Sequence, residues 1–490
     1  MEQKKERRIT IGIDLGTSGV RALAVTATGR IVARASASLT LVPQPEGLHE
    51  QAPLAWWDAI CSAASELMAD LKTLGISPDT LAALAADGTS GTLTCLDASG
   101  NPLRPAIMYN DARAGAQAAE LTDLAADFCQ RLGYRFEASF ALSKIAWVRE
   151  AEPQIFEKTA RFMHQSDYIQ GRLTGDFSTT DYSNALKTGY DLIEECWPEW
   201  LSHLPGVPDR LPRIVPPGTQ IGKVSATAAA RTGLPAGLPV VTGATDGAAG
   251  CLASGMRQAG DYNTSLGTTL IFKGISRRIC RHPDGIIYSH KLPGGYWLPG
   301  AASNTGGEWI ASRFSHENLQ SLDGAAARKL PNPHLAYPLA RRGERFPFLS
   351  PTAEGFCVPD TDDRTDRYAA CLQGTALVER LAYQVLDDVA GASGGNVFCT
   401  GGGSRSDIWM QCRADVTGRP LHRPTCPEAA FGSAVLAAAG THTGDLWEAI
   451  RQMVRTEKTF TPNPSHTARY DDLFGRFCTE LKDRGYWSEG

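Results

Sequence analysis

Asp14 and the turn that follows it have the composition of an anion-binding and metal-binding site. The turn, residues 15–19, has the sequence Leu-Gly-Thr-Ser-Gly and lies between two β-branched runs. Its glycines allow backbone N–H groups to approach an anion, and its two hydroxyls add donors without a formal charge. The Asp14 carboxylate could hold Mg²⁺, which takes one or two protein carboxylates and otherwise waters and phosphates. An ordinary hairpin with an incidental acid is the alternative interpretation.

Two further glycine-rich turns could contact a phosphate or a nucleoside. Residues 266–269, Leu-Gly-Thr-Thr, nearly repeat the first turn and could bind a second phosphate, although a plain β-turn is the alternative. Residues 400–406, Thr-Gly-Gly-Gly-Ser-Arg-Ser, lie between an apolar run and a helical pattern, so a ligand could approach the helix N-terminus closely. This segment is neither a P-loop nor a G-x-G-x-x-G dinucleotide motif, and a flexible connection is its alternative interpretation.

Asp246 is a candidate general base for phosphoryl transfer. It lies in Gly-Ala-Thr-Asp-Gly-Ala, residues 243–248, at the start of a predicted helix. A helix N-terminus keeps a carboxylate ionised, and loose phosphoryl transition states demand little activation of the nucleophile. Helix capping is the alternative role for this residue.

A hydroxyl-rich loop, Asp-Gly-Thr-Ser-Gly-Thr at residues 87–92, follows the short apolar run 81–86. Serine and threonine both donate and accept hydrogen bonds, so the loop suits a neutral polyhydroxylated ligand. A simple turn of aspartate and glycine is the alternative.

The composition excludes several other classes of function. The chain has 490 residues, with 48 basic and 53 acidic side chains, so its net charge of -5 creates no general attraction for nucleic acid or an anionic membrane. The 12 cysteines include no C-x-x-C pair and the 10 histidines no i, i+4 pair, which gives no support to zinc or Ser-His-Asp chemistry. No apolar run approaches the roughly 18 residues of a membrane span, and residues 1–16 do not show the apolar core and small-residue cleavage site that are typical of a signal peptide. We therefore expect a cytoplasmic protein with no nucleic-acid or membrane partner.

Hydrophobic periodicity predicts the elements that position these loops. Residues 9–14 and 20–25 predict a hairpin, and residues 31–41 a third antiparallel strand. Apolar residues three or four apart over 57–71 predict a helix. A second helix is predicted to start at Asp111 and to end at Gly133.

The same order of elements returns in the second half of the chain. After residue 238 a strand, a turn and a small-residue helix precede a strand, the turn 266–269 and another strand. A tetrapeptide echo is weak alone, but its matching context suggests two similar α/β lobes.

Taken in chain order, the motifs resemble those of the FGGY carbohydrate kinases. The matching segments are Ile13 to Arg21, Asp87 to Thr92, Thr245 to Gly247, Ser265 to Thr269, Gly401 to Gln411 and Glu428 to Ala434. Ser143-Lys144-Ile145-x-Trp147 is similar to the family's internal signature, with Ala141 where proline, serine or threonine is usual. The resemblance covers residues 9 to about 440.

The resemblance implies an α/β chain of two actin-like, ribonuclease-H-like ATPase lobes with ATP and sugar in the interlobe cleft. The expected sugar-side lobe is residues 8–257, with an insertion at about 151–235. The expected nucleotide-side lobe is residues 258–485, with an insertion at about 280–370.

The resemblance also implies roles for individual residues. Asp246 is the catalytic base, Asp14 serves the metal ion, and both bind substrate together with Ser90, the expected direct sugar contact. The implied ATP-binding residues are Thr17, Ser18, Arg21, Gly267, Thr268, Gly401, Gly402, Gly403 and Ser406.

Within the family the chain is most similar to the D-ribulose kinases of cyanobacteria and plants, which have been labelled xylulokinase-like. The similarity lies in Asp87 to Thr92, Asp181 to Tyr190, Tyr288 to Leu292 and Arg342 to Pro347. Xylulokinases usually carry Gln-Met-His-Gly where Thr-Ser-Gly-Thr stands at residues 89–92.

This resemblance implies an ATP- and Mg²⁺-dependent kinase that converts D-ribulose to D-ribulose 5-phosphate. A xylulokinase or another polyol or sugar kinase is the alternative within the family, and an actin- or Hsp70-like ATPase is the alternative outside it. The expected partners are a small-molecule sugar and ATP, and the expected state is a monomer or homodimer.

Overall fold

The computed structural model describes residues 8–391 and 394–488, which form two compact units. The first unit comprises the chain as far as Gly255 together with His290–Gly295 and Cys426–Arg455. The second comprises Met256–Ser289, Tyr296–Thr425 and the chain from Thr456 onward. No helix within the described residues is both long enough and apolar enough to span a membrane.

Residues 8–255 contain twelve strands and nine α-helices in the described structure. The strands are β1 (Ile9–Leu15), β2 (Gly19–Thr26), β3 (Ile31–Ser38), β4 (Glu50–Gln51), β5 (Leu81–Gly88), β6 (Leu93–Leu96), β7 (Ala106–Ile107), β8 (Arg161–His164), β9 (Thr179–Asp181), β10 (Arg213–Val215), β11 (Gln220–Lys223) and β12 (Pro239–Thr245). The helices are α1 (Pro53–Thr73), α2 (Gly115–Leu124), α3 (Ala126–Leu132), α4 (Ala141–Ala151), α5 (Pro153–Lys158), α6 (Gln165–Thr174), α7 (Tyr182–Ala185), α8 (Ala226–Thr232) and α9 (Asp246–Ser254).

The described residues after Gly255 contain nine further strands and seven α-helices. The strands are β13 (Tyr262–Leu266), β14 (Leu270–Gly274), β15 (Tyr288–Leu292), β16 (Tyr296–Ser303), β17 (Leu335–Tyr337), β18 (Phe356–Val358), β19 (Val397–Thr400), β20 (Leu421–Pro424) and β21 (Thr456–Phe460). The helices are α10 (Glu308–Arg313), α11 (Leu319–Ala327), α12 (Arg364–Ala390), α13 (Asp407–Thr417), α14 (Ala429–Ala438), α15 (Leu446–Met453) and α16 (Thr467–Asp483).

The central sheets of the two units repeat one topology. The first has the order β11-β12-β5-β1-β2-β3, with the β1-β2-β3 meander antiparallel and β5 and β12 parallel to β1. The second contains the order β16-β14-β13-β19-β20-β21, again with an antiparallel meander and two parallel strands beside its first strand. This is the ribonuclease-H-like arrangement, and it confirms the predicted α/β class with two such lobes.

The segment Cys426–Arg455 belongs to the first unit, although the sequence predicts it within a second lobe of residues 258–485. The cause is close packing of α14 on the first sheet. A Cβ added to Gly12 would lie 1.8 Å from the Ala430 carbonyl oxygen, and the Thr10 hydroxyl donates to the Ala434 carbonyl at 3.0 Å. The helix covers β1 because glycine and small residues let the two backbones approach.

Two predicted elements differ in extent from the observed ones. The third strand ends at Ser38 rather than at residue 41. The helix predicted from Asp111 to Gly133 is two helices, α2 and α3, with a non-helical backbone at Ala125. Asp111 does not cap either helix, because its carboxylate accepts hydrogen bonds from the His49 N–H at 2.6 Å and from Arg113.

Candidate active site

Two aspartates meet at the carboxyl ends of adjacent parallel strands in the first unit. Asp14 on β1 is the register partner of Asp87 on β5. Oδ2 of the buried Asp87 accepts a hydrogen bond from Ser433 Oγ at 2.6 Å, whereas no described N–H or hydroxyl reaches its Oδ1. Burial, followed by the negative charge of Asp14, raises the pKa of Asp87 well above its usual range. Ionisation of Asp87 beside Asp14 is therefore disfavoured.

Asp14 is the member of this pair that suits a metal ion. Burial raises the pKa of Asp14, but its interaction with the Asp87 side chain and the positive charge of Arg21, whose Nη1 lies 3.5 Å away, oppose the rise. The described residues contain no cluster of three or more ligating side chains that could hold a metal by themselves. Mg²⁺ fits such a site, because it needs only one or two protein carboxylates when waters and phosphates complete its shell.

The turn between β1 and β2 presents its two hydroxyl residues at the surface of the unit. The Gly16 N–H donates to the Gly19 carbonyl at 3.0 Å and closes the turn. Gln51 Nε2 donates to the Thr17 carbonyl at 2.9 Å, while Thr17 is half-buried and Ser18 is exposed. The hairpin thus brings Thr17, Ser18 and Arg21 to the strand end that carries Asp14.

Asp246 is the first residue of α9 and follows directly on β12. Its Oδ1 accepts the Gly247 N–H at 2.7 Å, and the preceding Thr245 hydroxyl accepts the Ala248 N–H at 3.4 Å as the helix cap. The Thr245 N–H in turn donates to Ser183 Oγ at 3.0 Å. Asp246 is half-buried, and its charge contributes to the raised pKa of Asp87. Three strand ends therefore bring Asp14, Asp87 and Asp246 within electrostatic range of one another.

The loop after β5 contains a buried hydroxyl without a partner. Ser90 Oγ is buried and makes no hydrogen bond with the described residues. Its neighbour Thr89 donates through both its N–H and its hydroxyl to Gln165 Oε1, at 2.8 and 2.7 Å. Gln165 Nε2 is also buried without a partner among the described residues. An unpaired buried hydroxyl costs about 1–3 kcal/mol, so this loop has hydrogen bonds to offer to a polyhydroxylated ligand.

Lys144, a buried lysine of the segment 143–147, holds this loop in place. Lys144 Nζ donates to the Gly91 carbonyl at 2.7 Å and to the Ser139 carbonyl at 3.0 Å. Gly91 has a φ of +86°, and a Cβ there would lie 2.3 Å from the Ser139 carbonyl oxygen. Burial, with the charge of Lys187 second, lowers the pKa of Lys144 to about 7.

We expect Lys144 to make the free energy of unfolding depend on pH. A lysine of the unfolded chain keeps its proton to about pH 10.4, so between pH 7 and that value the unfolded state binds more protons and stability rises with pH. Wild type should gain about 1–2 kcal/mol between pH 7 and 8.5 relative to Lys144→Met, as measured by urea denaturation. The exposed Lys158→Met variant is the control and should retain the wild-type slope. Equal slopes in wild type and Lys144→Met would contradict the assignment.

The second unit contains a cavity of about 1170 Å³. Five residues that the sequence assigns to ATP line it, namely Gly267, Thr268, Gly402, Gly403 and Ser406. A Cβ added to Gly402 would meet no atom within 4 Å, so a ligand could approach the backbone closely at this part of the cavity wall. The volume exceeds that of most small-molecule sites and accommodates a nucleotide.

Gly401 and Ser406 contribute to the cavity through its framework. Gly401 has a φ of +81°, and a Cβ there would lie 2.5 Å from the Leu266 carbonyl oxygen, so it allows β19 to turn closely past β13. The Ser406 hydroxyl accepts the Trp409 N–H at 3.0 Å as the cap of α13, and it donates to Asp323 Oδ2 at 2.6 Å.

Glu344 is linked to the turn between β13 and β14 through a network of hydrogen bonds. Five donors converge on its carboxylate at 2.6 to 2.9 Å, namely the hydroxyls of Ser303, Thr305 and Tyr337 and the N–H groups of Asn304 and Arg345. The Thr305 carbonyl accepts the Leu270 N–H at 3.0 Å, and the Gly307 N–H donates to the Gly267 carbonyl at 2.8 Å. The buried carboxylate thus connects the segment before α10 to the predicted phosphate-binding turn.

Most of the chain matches the two domains of one enzyme family. Residues 9–253 match the N-terminal domain of the FGGY family of carbohydrate kinases, and residues 262–441 match its C-terminal domain. Among curated proteins, the chain is 30% identical to a xylulose kinase of Escherichia coli, over 96% of this chain and 99% of that protein. It is 32% identical to a xylulose kinase of Streptomyces coelicolor, over 92% of both.

Solved structures agree with these matches. A xylulose kinase from Rhodospirillum rubrum is similar with a TM-score of 0.85 and 29% identity, over 97% of this chain and 99% of that one. A Plasmodium falciparum glycerol kinase crystallised with ADP has a TM-score of 0.83 at 18% identity, over 96% and 98% of the two chains, and thus shares the fold.

Proposed function

The chain belongs to the FGGY family of carbohydrate kinases, and we propose that it transfers the terminal phosphoryl group of ATP to the terminal hydroxyl of a ketopentose. The observation that carries the proposal is the carboxylate of Asp246 at the start of α9, beside the Asp14–Asp87 pair. A base at that place suits phosphoryl transfer, in which positioning and charge stabilisation supply most of the catalysis.

The proposed roles follow from the environments of these side chains. Asp246 orients the sugar hydroxyl and accepts its proton. Asp14 holds Mg²⁺, which when bound neutralises charge on the phosphates. In the second unit, Gly267, Thr268, Gly402 and Gly403 bind the nucleotide, and Gly401 and Ser406 shape that cavity. Thr17, Ser18 and Arg21 on the hairpin of the first unit stay predicted phosphate contacts.

D-xylulose is the first candidate substrate, because the curated relatives from Escherichia coli and Streptomyces coelicolor, which cover more than nine tenths of this chain, are xylulose kinases. This ranking differs from the one that the motif resemblance implies. D-ribulose is the second candidate, and Ser90 favours it. A serine with an unpaired buried hydroxyl stands in the Thr-Ser-Gly-Thr loop, where xylulokinases usually carry Gln-Met-His-Gly. Two epimeric pentuloses differ by one or two hydrogen bonds, each worth about 1–3 kcal/mol in a buried site.

A substrate panel tests the proposal. ADP release is measured with D-xylulose, D-ribulose, ribitol and glycerol under the same conditions. We expect ADP release only with a sugar present, with kcat/KM highest for one of the two pentuloses. ADP release independent of sugar would instead support an actin- or Hsp70-like ATPase, and a preference for glycerol or ribitol would move the assignment to another polyol kinase.

The Ser90 hydroxyl has its own expected effect. Ser90→Ala should raise the KM for the preferred pentulose about 5- to 100-fold, since a buried hydrogen bond to the substrate is lost. The KM for ATP should stay within about twofold of wild type. Ser99→Ala removes an exposed hydroxyl from the turn after β6 and is the matched control. An unchanged sugar KM in Ser90→Ala would remove Ser90 from the sugar site.

The predicted cytoplasmic location and the predicted monomer or homodimer stay predictions. The partners that the proposal requires are the pentulose and ATP.

A further inference from the structure

Four carboxylates line the cavity of the second unit, and they differ in how they are neutralised. Three are in ion pairs of 2.6 to 2.8 Å with basic side chains: Glu308 with Arg341, Glu317 with Arg364, and Asp407 with Arg423 and Lys458. Asp323 on α11 is the fourth, and it forms no ion pair with any residue that the structure describes. Asp323 is therefore the lining carboxylate whose charge is not compensated by a cation.

Two hydroxyls hold the Asp323 carboxylate in a fixed orientation. Ser406 Oγ donates to Oδ2 at 2.6 Å, and the hydroxyl of the buried Tyr368 donates to Oδ1 at 2.9 Å. Both donors also line the cavity. An ionised carboxylate offers about four acceptor sites, so two remain for a ligand after these bonds. Asp323 is half-buried, which leaves those sites accessible from the cavity.

The wall near this carboxylate suits the flat face of a nucleobase. Ile310, Phe314, Leu319 and Ile408 supply apolar surface to the same cavity. Ligand sites of this type combine apolar walls with a few polar groups that fix orientation. The polar group here accepts hydrogen bonds and cannot donate them while it is ionised.

We propose that Asp323 is the specificity-determining residue for the nucleotide: it accepts a hydrogen bond from a donor of the nucleoside, either the 6-amino group of adenine or a ribose hydroxyl. The inference rests on the proposed kinase function, because it takes this cavity as the ATP site. A nucleotide with a carbonyl at the 6 position, or without the hydroxyl, leaves the carboxylate without that donor. A hydrogen bond to a charged group contributes enough to change affinity about 10- to 100-fold.

The test compares nucleotides in wild type and in Asp323→Asn. Kinetics are measured with ATP, inosine triphosphate, 2′-deoxy-ATP and 3′-deoxy-ATP. Wild type should prefer ATP by at least tenfold in kcat/KM over one of these analogues. Inosine triphosphate as the weak substrate identifies the 6-amino group as the donor, and a deoxy analogue identifies the ribose. In Asp323→Asn the preference should fall below about threefold through a higher KM for ATP, with an unchanged KM for the sugar.

A matched variant separates hydrogen bonding from the loss of charge. Glu317→Gln removes a carboxylate from the same cavity that is already paired with Arg364, and it should keep the wild-type preference among nucleotides. Asp323→Ala is the second variant. It is needed because the amide oxygen of asparagine can still accept the hydrogen bond from the nucleoside. An equal loss of affinity for all four nucleotides, or an unchanged preference in both Asp323 variants, would overturn the proposal.

Binding without turnover distinguishes this inference from the proposed function. Calorimetric titration with ADP and inosine diphosphate, or with the deoxy analogues, requires no sugar. A preference for ADP that disappears in the Asp323 variants supports the inference even where no pentulose is phosphorylated. If wild type shows no sugar-dependent ADP release but still prefers ADP in the binding measurement, the proposed pentulose kinase activity is refuted and the role of Asp323 is not.

Discussion

Asp246→Asn is expected to lower kcat by about 10²- to 10⁴-fold, the usual contribution of a general base. An amide cannot accept the proton of the sugar hydroxyl, whereas the carboxylate at the start of α9 can. Charge also disappears beside the Asp14–Asp87 pair, where Asp246 contributes to the raised pKa of Asp87. The loss should appear in kcat more than in either KM, because the amide keeps the size and most of the hydrogen-bonding capacity of the carboxylate.

The folded state should tolerate this change. The amide oxygen can still accept the Gly247 N–H, which Asp246 Oδ1 accepts at 2.7 Å, and the Thr245 cap is unaltered. Loss of a negative charge in the first turn costs about 0.3–1 kcal/mol through the helix dipole. Circular dichroism and the urea midpoint should therefore be close to wild type while turnover is not.

A coupled assay of ADP release measures this effect, with Asp209→Asn as the control. Asp209 is an exposed aspartate in the first turn of a short 3₁₀ helix in the same unit, and its replacement should leave kcat unchanged. Near-normal kcat in Asp246→Asn would end the assignment of Asp246 as the base. A fall in the urea midpoint together with kcat would point to a structural role.

The elements that short-range patterns determine could be predicted from the sequence. The Leu-Gly-Thr turns at residues 15–17 and 266–268 each join the first two strands of an antiparallel meander, in two sheets with the same strand order. The repeated sequence predicts this correspondence. Alternation and turn residues act over a few positions, so the hairpins and the start of α9 could be found without knowledge of tertiary packing. Asp14, Asp246 and the glycines of the cavity can be predicted as site residues for the same reason, because each lies in a short turn or at a strand end that local sequence indicates.

The contacts that join distant segments could not be predicted in this way. α14 packs on β1 through the match between Gly12 and Ala430, which no local pattern indicates. The sequence predicts Asp87 only as part of a hydroxyl-rich loop, because its pairing with Asp14 depends on β5 lying parallel to β1. The roles of Lys144 and Asp323 depend on partners that are tens of residues away in the chain.

The largest expected effect on stability is that of Glu344→Ala in the second unit. The change leaves three hydroxyls and two N–H groups without the acceptor that now satisfies them, in a place where Glu344 is only 2% exposed. A single unsatisfied buried donor costs about 1–3 kcal/mol, and relaxation or entry of water reduces the sum for five. We expect the free energy of unfolding to fall by about 3–5 kcal/mol, at the upper end for a single substitution, because a buried hydrogen-bond network is broken.

Glu344→Gln shows whether the network also serves the nucleotide. The amide preserves shape but directs an NH₂ group at hydroxyl and N–H donors, so the segment Ser303–Thr305 should shift while the protein stays folded. Because the Gly307 N–H holds the Gly267 carbonyl at 2.8 Å, that shift should raise the KM for ATP several-fold and leave the KM for the sugar unchanged. The control is Glu354→Gln, which changes an exposed glutamate ten residues after Glu344. It should alter neither the KM for ATP nor the KM for the sugar. Equal increases in both KM values would contradict a specific link between Glu344 and the phosphate-binding turn.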